Sequence, residues 1–199
     1  LARVIPVIEA LAKRDYCVSI DTCKALVMKK AIEAGASIVN DVTALEGDPQ
    51  SMEVIAASTA SVVLMHMQGQ PESMQISPVY KDVVGEVQDY LLSRVQACES
   101  AGVDRKRIAL DPGIGFGKTH KHNLTLIKNL SALKAFGCPL VLGVSRKSFI
   151  GKISNENDPK KRLPGSLSAV LAGVNRGASI LRVHDVLETR QALDVWQVI

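Results

Sequence analysis

The sequence predicts an α/β fold of the (β/α)8 TIM-barrel type, represented here by about six βα units. Three observations carry that prediction. Apolar runs alternate with segments of helical period and no hairpin signal separates them, which is the pattern of parallel βα units. The runs are rich in Val, Ile and Leu, as buried parallel strands are. Each run also ends in a polar residue able to do chemistry, as expected where barrel strands present a site at their carboxyl ends. An open doubly wound sheet also alternates strand and helix, but it gathers ligands mainly at one switch point. Functional residues at every strand end favour the barrel. A whole barrel takes about 250 residues, so a chain of 199 residues reads as an incomplete barrel forming one domain over residues 1–199.

The elements follow in chain order. Leu1 to Lys13 carries Val4, Ile5, Val7, Ile8 and Leu11 at helical spacing without an N-cap, so a preceding segment is expected. Val18-Ser19-Ile20 is a strand leading into Asp21, and a helix from Thr22 to Ala34 stops at Gly35. Ile38-Val39 leads into Asn40 and Asp41, with a helix over Pro49–Ser58 after the loop at Glu46-Gly47-Asp48. The run Val62 to Met65 leads into His66. A polar loop, Gln68 to Pro78, precedes a long helix over Val79–Ala101, whose Val83, Val84, Val87, Leu91, Val95 and Cys98 keep helical spacing up to Gly102. Ile108-Ala109-Leu110 leads into Asp111, and a helix over His122–Phe136 ends at Gly137. The run Leu140 to Val144 leads into Ser145, Arg146 and Lys147. Beyond the polar loop Ser154–Pro164, Ser166 is placed to cap a small-residue helix over Leu167–Arg176. Ile180-Leu181 leads into Arg182 and His184, and Glu188–Val198 is the last helix.

Composition narrows the function classes. A hydrophobic content of 47% with only 4% aromatic residues predicts a core of aliphatic packing. A formal charge of +4 is too small to argue for nucleic acid, which calls for a clustered basic face, but it suits an anionic substrate. Cys17, Cys23, Cys98 and Cys138 have no CxxC spacing and read as reduced thiols of a cytoplasmic protein. No apolar run approaches the ~20 residues of a membrane span, and no segment reads as a signal peptide.

Strand alternation puts Ser19 with Asp21 on one face, and likewise Ala109 with Asp111, Ser145 with Lys147, and Arg182 with His184. Facing a barrel mouth, these supply carboxylates, an amide, an ammonium, a guanidinium and an imidazole. That set suits a flat heterocycle with several donors and acceptors, joined to an anionic group. Arg with His suits a phosphate, near where barrels often bind one. Blander roles are weighed beside these. Asp21 before Thr22 also fits an N-cap, and Asn40-Asp41 also fits a turn in which Asp41 faces away from the site. His66, between two methionines, reads as structural. Gly113 to Gly117 is a weak glycine loop, because Lys118 stands where a dinucleotide fingerprint needs its third glycine. His120, His122 and Lys160-Lys161-Arg162 read as solvated loop positions, and the 167–176 helix as core packing or a subunit contact.

Six segments come in a telling order: Ser-Ile-Asp-Thr (19–22), Val-Asn-Asp-Val (39–42), Leu-Met-His-Met-Gln-Gly (64–69), Asp-Pro-Gly-Ile-Gly-Phe-Gly-Lys (111–118), Gly-Val-Ser-Arg-Lys-Ser-Phe-Ile-Gly (143–151) and Arg-Val-His-Asp-Val (182–186). Together they resemble the dihydropteroate synthase family of folate biosynthesis, along essentially the whole chain. The resemblance implies a transferase that joins 6-hydroxymethyl-7,8-dihydropterin diphosphate to p-aminobenzoate and releases diphosphate with Mg²⁺ assistance. Sulfonamides are then competitors, and a homodimer through the later helices is implied. On this resemblance Asp111 binds the amino-pyrimidinone edge of the pterin, and Asn40 and Asp21 bind other ring nitrogens. Lys147 contacts the ring and p-aminobenzoate, Arg182 and His184 hold the diphosphate, Phe116 and Ser145 line the p-aminobenzoate side, and Met65 packs on the pterin face. Asp21 and Lys147 are the residues assigned a catalytic part. No protein nucleophile is required, and none is evident.

The family also has a first strand with a metal-contacting Asn and a second strand followed by a Thr-Arg-Pro loop, neither of which is found here. The chain alone is therefore expected to be weak or inactive as a catalyst while keeping its pterin recognition. Two rival readings are a methyltetrahydrofolate-binding barrel of a corrinoid methyltransferase and a non-catalytic ligand-binding fragment. The first has no diphosphate to hold with Arg182 and His184. The second sits poorly with strand-end groups that are all chemically intact.

Overall fold

A computed structural model describes residues 1–70 and 73–199; residues 71 and 72, within the loop expected over Gln68–Pro78, lie outside the described residues. Its elements run α1 (Ile5–Ala12), β1 (Ser19–Asp21), α2 (Ala25–Glu33), β2 (Ile38–Asp41), α3 (Ser51–Ala56), β3 (Ser61–Met65), α4 (Val83–Ser100), β4 (Ile108–Asp111), α5 (His120–Lys128), β5 (Val141–Leu142), α6 (Ser148–Ser154), α7 (Leu163–Val174), β6 (Ile180–Leu181) and α8 (Val186–Trp196). The fold class is the one expected, α/β with parallel strands in the manner of an incomplete (β/α)8 barrel. The strands form one sheet in the order β1-β2-β3-β4 and a second of β5 with β6. The chain divides into two compact units, Leu1–His66 with Asp89–Leu110, and Met67–Gln88 with Asp111–Ile199.

In the first unit β1, β2 and β3 pair in parallel, with Asp21 opposite Asn40 and Asp41 opposite Leu64. Their carboxyl ends therefore share one edge. Val39, Val62, Leu64 and Leu110 are fully buried, which is why these strands read as near-continuous apolar runs. Helix α2 begins at Ala25, later than the expected Thr22. Its first donors go to Thr22, whose Oγ1 accepts from Lys24 N at 3.2 Å, and to Asp48, whose Oδ2 accepts from Ala25 N at 2.9 Å. The capping role weighed for Asp21 thus falls to Thr22 and Asp48. Arg107 donates to the carbonyls of Ile55 (2.8 Å), at the end of α3, and of Ala60 (3.0 and 2.7 Å), just before β3.

Asp41 turns inward as expected and is fully buried. Its Oδ1 accepts from Thr43 N (2.8 Å) and Thr43 Oγ1 (2.7 Å), and its Oδ2 from Leu45 N (3.0 Å). These bonds hold a turn in which Ala44 (φ 49°) and Leu45 (φ 67°) are both left-handed, a strained state for residues bearing a Cβ. Burial pushes the Asp41 carboxyl up from the usual carboxylate range, although its bonds to Thr43 and Leu45 oppose this. Asp41→Ala leaves those buried donors unpaired, so a loss of about 2–4 kcal/mol is expected in urea unfolding. A stability within 0.5 kcal/mol of wild type, roughly the scatter of a neutral surface change, would contradict this role.

The second unit departs from expectation in three places. The helix expected over His122–Phe136 is α5 followed by a 3₁₀ segment, Leu130–Phe136. Asn129 separates them, and its Nδ2 donates to Thr125 O at 2.9 Å, a side-chain bond that competes with the helix ladder. Helix α7 begins at Leu163 with Pro164 in its first turn, so Ser166 lies inside the helix and is not its cap. Buried Ser166 donates to Arg162 O (2.8 Å) and accepts from Arg146 N (2.9 Å). Helix α6 had no sequence signal, because it is seven residues long and follows an apolar run almost directly.

Candidate active site

The first unit contributes an edge pair. Asn40 Nδ2 donates to Asp21 Oδ2 at 3.1 Å, so the carboxylate and the amide stand side by side at the ends of β1 and β2. Asp21 is exposed and Asn40 half-buried. Met65 is buried at the end of β3, while buried His66 packs edge-on against Tyr90 at 5.1 Å between centroids.

The second unit holds the larger cluster. After Asp111 the chain enters a loop in which Gly113 (φ 67°), Gly115 (φ 86°) and Gly117 (φ 61°) are all left-handed. A Cβ on Gly117 would lie 2.1 Å from the carbonyl oxygen of Gln68, so both the torsion and the space there demand glycine. Every carbonyl from Gly113 to Gly117 accepts a side-chain donor. Lys118 Nζ reaches those of Gly113 (3.1 Å) and Phe116 (2.9 Å), and Lys147 Nζ reaches that of Ile114. Gln75 Nε2 donates to Gly115 O at 2.5 Å, and Tyr80 OH to Gly117 O at 2.9 Å. Asn123 Oδ1 accepts from Gly115 N at 2.7 Å. Side chains thus brace the loop along its length, beside a backbone turn in which Phe116 N donates to Gly113 O at 3.0 Å.

Asp111 is buried at 6% exposure, and its Oδ1 accepts from Gly113 N at 2.7 Å. Burial raises its pKa, while the charges of Lys147, Lys118 and Arg182 and the bond from Gly113 oppose the rise. Lys147 Nζ stands 4.8 Å from the centroid of the Phe116 ring. At the centre is Gly143: a Cβ built there would lie 3.9 Å from Arg182 Cβ, 3.9 Å from Lys147 Nζ and 4.0 Å from Asp111 Oδ2. A carboxylate, an ammonium and an arginine stem therefore converge on this glycine. Beside it Ser145 Oγ lies 3.3 Å from His184 N and 3.0 Å from His184 Nδ1.

Burial presses both lysines toward neutrality. The Lys118 ammonium is pushed down to about 7 by desolvation, against the favourable charge of Asp111. Lys147 is pushed down to about 8 by desolvation, again opposed by Asp111. Between these values and the ordinary lysine value of 10.5, the unfolded chain holds more protons than the folded one. Stability must therefore rise with pH across that window. Lys118→Met removes one of the two groups, so its melting temperature is expected to rise less between pH 7 and pH 9 than that of wild type. Parallel curves for the two proteins would contradict the assignment.

The expected residues thus fall into two groups: in the second unit Asp111, Lys147 and Arg182 around Gly143, Phe116 against Lys147, and the Ser145–His184 pair; in the first Asp21, Asn40 and Met65. Ser145 and Lys147 reach their places differently from the alternation expected of a strand. Strand β5 ends at Leu142, and Arg146 between them is left-handed (φ 59°). Sequence reasoning missed Lys118, Gly143 and Asn123. The first had a signal, a lone charge closing a glycine-rich apolar loop. His120 and His122 are not loop positions: they open α5, where Thr119 and His122 form a capping box. Among the described residues no group of three or more His, Cys, Asp or Glu side chains could hold a metal ion.

The sequence model of the pterin binding enzyme family matches residues 1–184. Dihydropteroate synthase of Neisseria meningitidis serogroup C is 48% identical over 199 residues, covering 98% of this chain and 70% of that protein. The crystal structure of dihydropteroate synthase from Stenotrophomonas maltophilia with active-site-bound imidazole superposes with a TM-score of 0.97 at 45% identity, covering 100% of this chain and 75% of that one. The Xanthomonas albilineans enzyme in complex with 7,8-dihydropteroate gives a TM-score of 0.93 at 44% identity, covering 100% of this chain and 72% of that one. The same enzyme has also been solved with 4-aminobenzoic acid.

Proposed function

This chain belongs to the pterin-binding enzymes and, among them, to the dihydropteroate synthases, which condense 6-hydroxymethyl-7,8-dihydropterin diphosphate with p-aminobenzoate to 7,8-dihydropteroate and diphosphate in folate biosynthesis; we propose the following roles for its residues in that reaction. Asp111 accepts two N–H bonds from the amino-pyrimidinone edge of the pterin. Asn40 and Asp21 take further ring nitrogens, and Met65 packs against the ring. Arg182 and His184 bind the diphosphate. Lys147 bridges the pterin and the p-aminobenzoate side, which Phe116 and Ser145 line.

The reaction forms a bond from the aniline nitrogen to the pterin methylene as the methylene–oxygen bond breaks, releasing diphosphate and a proton. Positive charge gathers on the pterin methylene as diphosphate departs. Asp21 and Asp111 favour that charge electrostatically, and Arg182 with His184 favours the charge on the leaving group. Lys147 aligns the two reactants. The observation that carries the reading is the convergence of Asp111, Lys147 and Arg182 on Gly143, where a built Cβ lies 3.9–4.0 Å from each of them.

The described side chains do not build a metal cage, so Mg²⁺ is assigned as a counter-ion carried by the diphosphate, in keeping with the preference of that ion for phosphate oxygens and water. Sulfonamides are expected to compete for the p-aminobenzoate side, and a structure of the Yersinia pestis enzyme with a sulfonamide drug complex supports this. A homodimer is proposed through the later helices, supported by exposed Val186, Leu187 and Val195 on α8. A cytoplasmic location is supported by Cys17, Cys23, Cys98 and Cys138, none of which is in a disulfide. Among the described residues no helix is long and apolar enough to cross a membrane. One domain over residues 1–199 is proposed as the functional unit.

Calorimetric titration with 6-hydroxymethyl-7,8-dihydropterin diphosphate, with and without Mg²⁺, tests the assignment. Saturable binding that tightens with Mg²⁺ is expected. Heats indistinguishable from dilution in both titrations would remove the pterin site from this chain.

A further inference from the structure

Two loops bring most of the second unit's ligand-binding groups: the one after β5, with Ser145 and Lys147, and the one after β6, with Arg182 and His184. Between Ser145 and Lys147 stands Arg146, a left-handed residue (φ 59°) of a type that seldom adopts that conformation. Its backbone is clamped on both sides, since its N–H donates to Ser166 Oγ at 2.9 Å and its carbonyl accepts from Arg162 Nη1 at 3.0 Å. Its guanidinium leaves its own loop and forks onto Asp185, Nε to Oδ2 at 3.0 Å and Nη2 to Oδ1. Asp185 directly follows His184. It occupies the N-cap position of α8, yet its side chain makes no cap bond there and serves the guanidinium instead.

We infer that Arg146 and Asp185 are positioning residues that lock the β5 and β6 loops in register, so that Lys147 and His184 hold their places together. The inference rests on the roles proposed for Lys147 and His184. Three features support it. The pair is bidentate, the geometry that fixes orientation as well as distance. It spans 39 positions of sequence and joins residues adjacent to Lys147 on one side and to His184 on the other. The Ser145–His184 contact lies beside it, so the two loops are tied at two consecutive positions. The left-handed turn at Arg146 aims its guanidinium at Asp185 while its neighbours serve the site.

Arg146→Gly is the informative variant. Glycine adopts the left-handed turn freely and keeps both backbone bonds, so the fork alone is lost. The melting temperature is expected to stay close to wild type. The affinities for inorganic diphosphate and for 6-hydroxymethylpterin should each fall about 10- to 50-fold, the scale of coupling within one bonded network. Asp185→Asn should lose a similar factor, and the double variant little more than either single one. Ligand-free NMR adds an independent reading: the His184 imidazole signal should shift or broaden in Arg146→Gly while that of buried His66 stays fixed. Affinities within twofold of wild type with an unmoved His184 signal would overturn the inference, as would losses that multiply in the double variant. His184→Ala separates the two claims: unchanged diphosphate affinity there would remove the role of His184 in binding, whereas the NMR signals and the double-variant cycle judge the lock by itself.

Discussion

Asp111→Asn is expected to weaken pterin binding strongly while leaving the protein folded. The new amide can keep the bond that Oδ1 accepts from Gly113 N at 2.7 Å, so the loop retains its anchor. What changes is the second oxygen, Oδ2, which lies 4.0 Å from a Cβ built on Gly143. An acceptor becomes a donor there, opposite a pterin edge that offers only donors. The negative charge that balances Lys147, Lys118 and Arg182 is lost with it. Removing one partner of a buried complementary pair costs about 2–5 kcal/mol, so affinity should drop about 30- to 4,000-fold. Titration calorimetry of the variant with pterin diphosphate reads this directly, and an affinity equal to that of wild type would exclude Asp111 from the site.

Gly143→Ala is expected to separate binding from stability. The added methyl would meet its neighbours at 3.9–4.0 Å, ordinary contact distances, so the fold has room for it. The backbone at Gly143 is not left-handed, which removes the other usual reason for a glycine. Stability should hold or rise by about 0.4–1 kcal/mol as the unfolded chain loses freedom. The methyl would nevertheless fill space assigned to the ligand. A misfit of about 1–3 kcal/mol then weakens pterin binding about 5- to 150-fold. Thermal melting and titration on one sample check both halves. Undiminished affinity in a stable Gly143→Ala protein would mean that the ligand does not occupy that space.

The alternation of runs and helices was legible because buried parallel strands need continuous Val, Ile and Leu, and because glycines at 35, 102 and 137 stop helices in the left-handed state. Asp111 and Arg182 stand where the runs place them, at the end of β4 and directly after β6, whereas Lys147 lies in the loop beyond the end of β5 at Leu142. Long-range partners were not legible. Nothing near Ala25 in sequence announces that Asp48 caps its helix, and nothing near Gly113 announces that Lys118 satisfies its carbonyl. Lys118 shows the limit most clearly. Tested against a dinucleotide motif, it counted only as a missing glycine. In the fold it is buried at 2% exposure and ties down the loop beside Asp111. Ser166 failed in the opposite sense, because a good capping residue was drawn into α7 once Pro164 set the helix start further upstream.

The most direct test of the central claim is a crystal structure of this chain with 6-hydroxymethylpterin diphosphate bound. The amino-pyrimidinone edge is expected on the Asp111 carboxylate, the ring over Gly143 with Lys147 in contact, and the diphosphate on Arg182 and His184. A pterin seated elsewhere, or one whose amino-pyrimidinone edge leaves Asp111 unbonded, would contradict that claim.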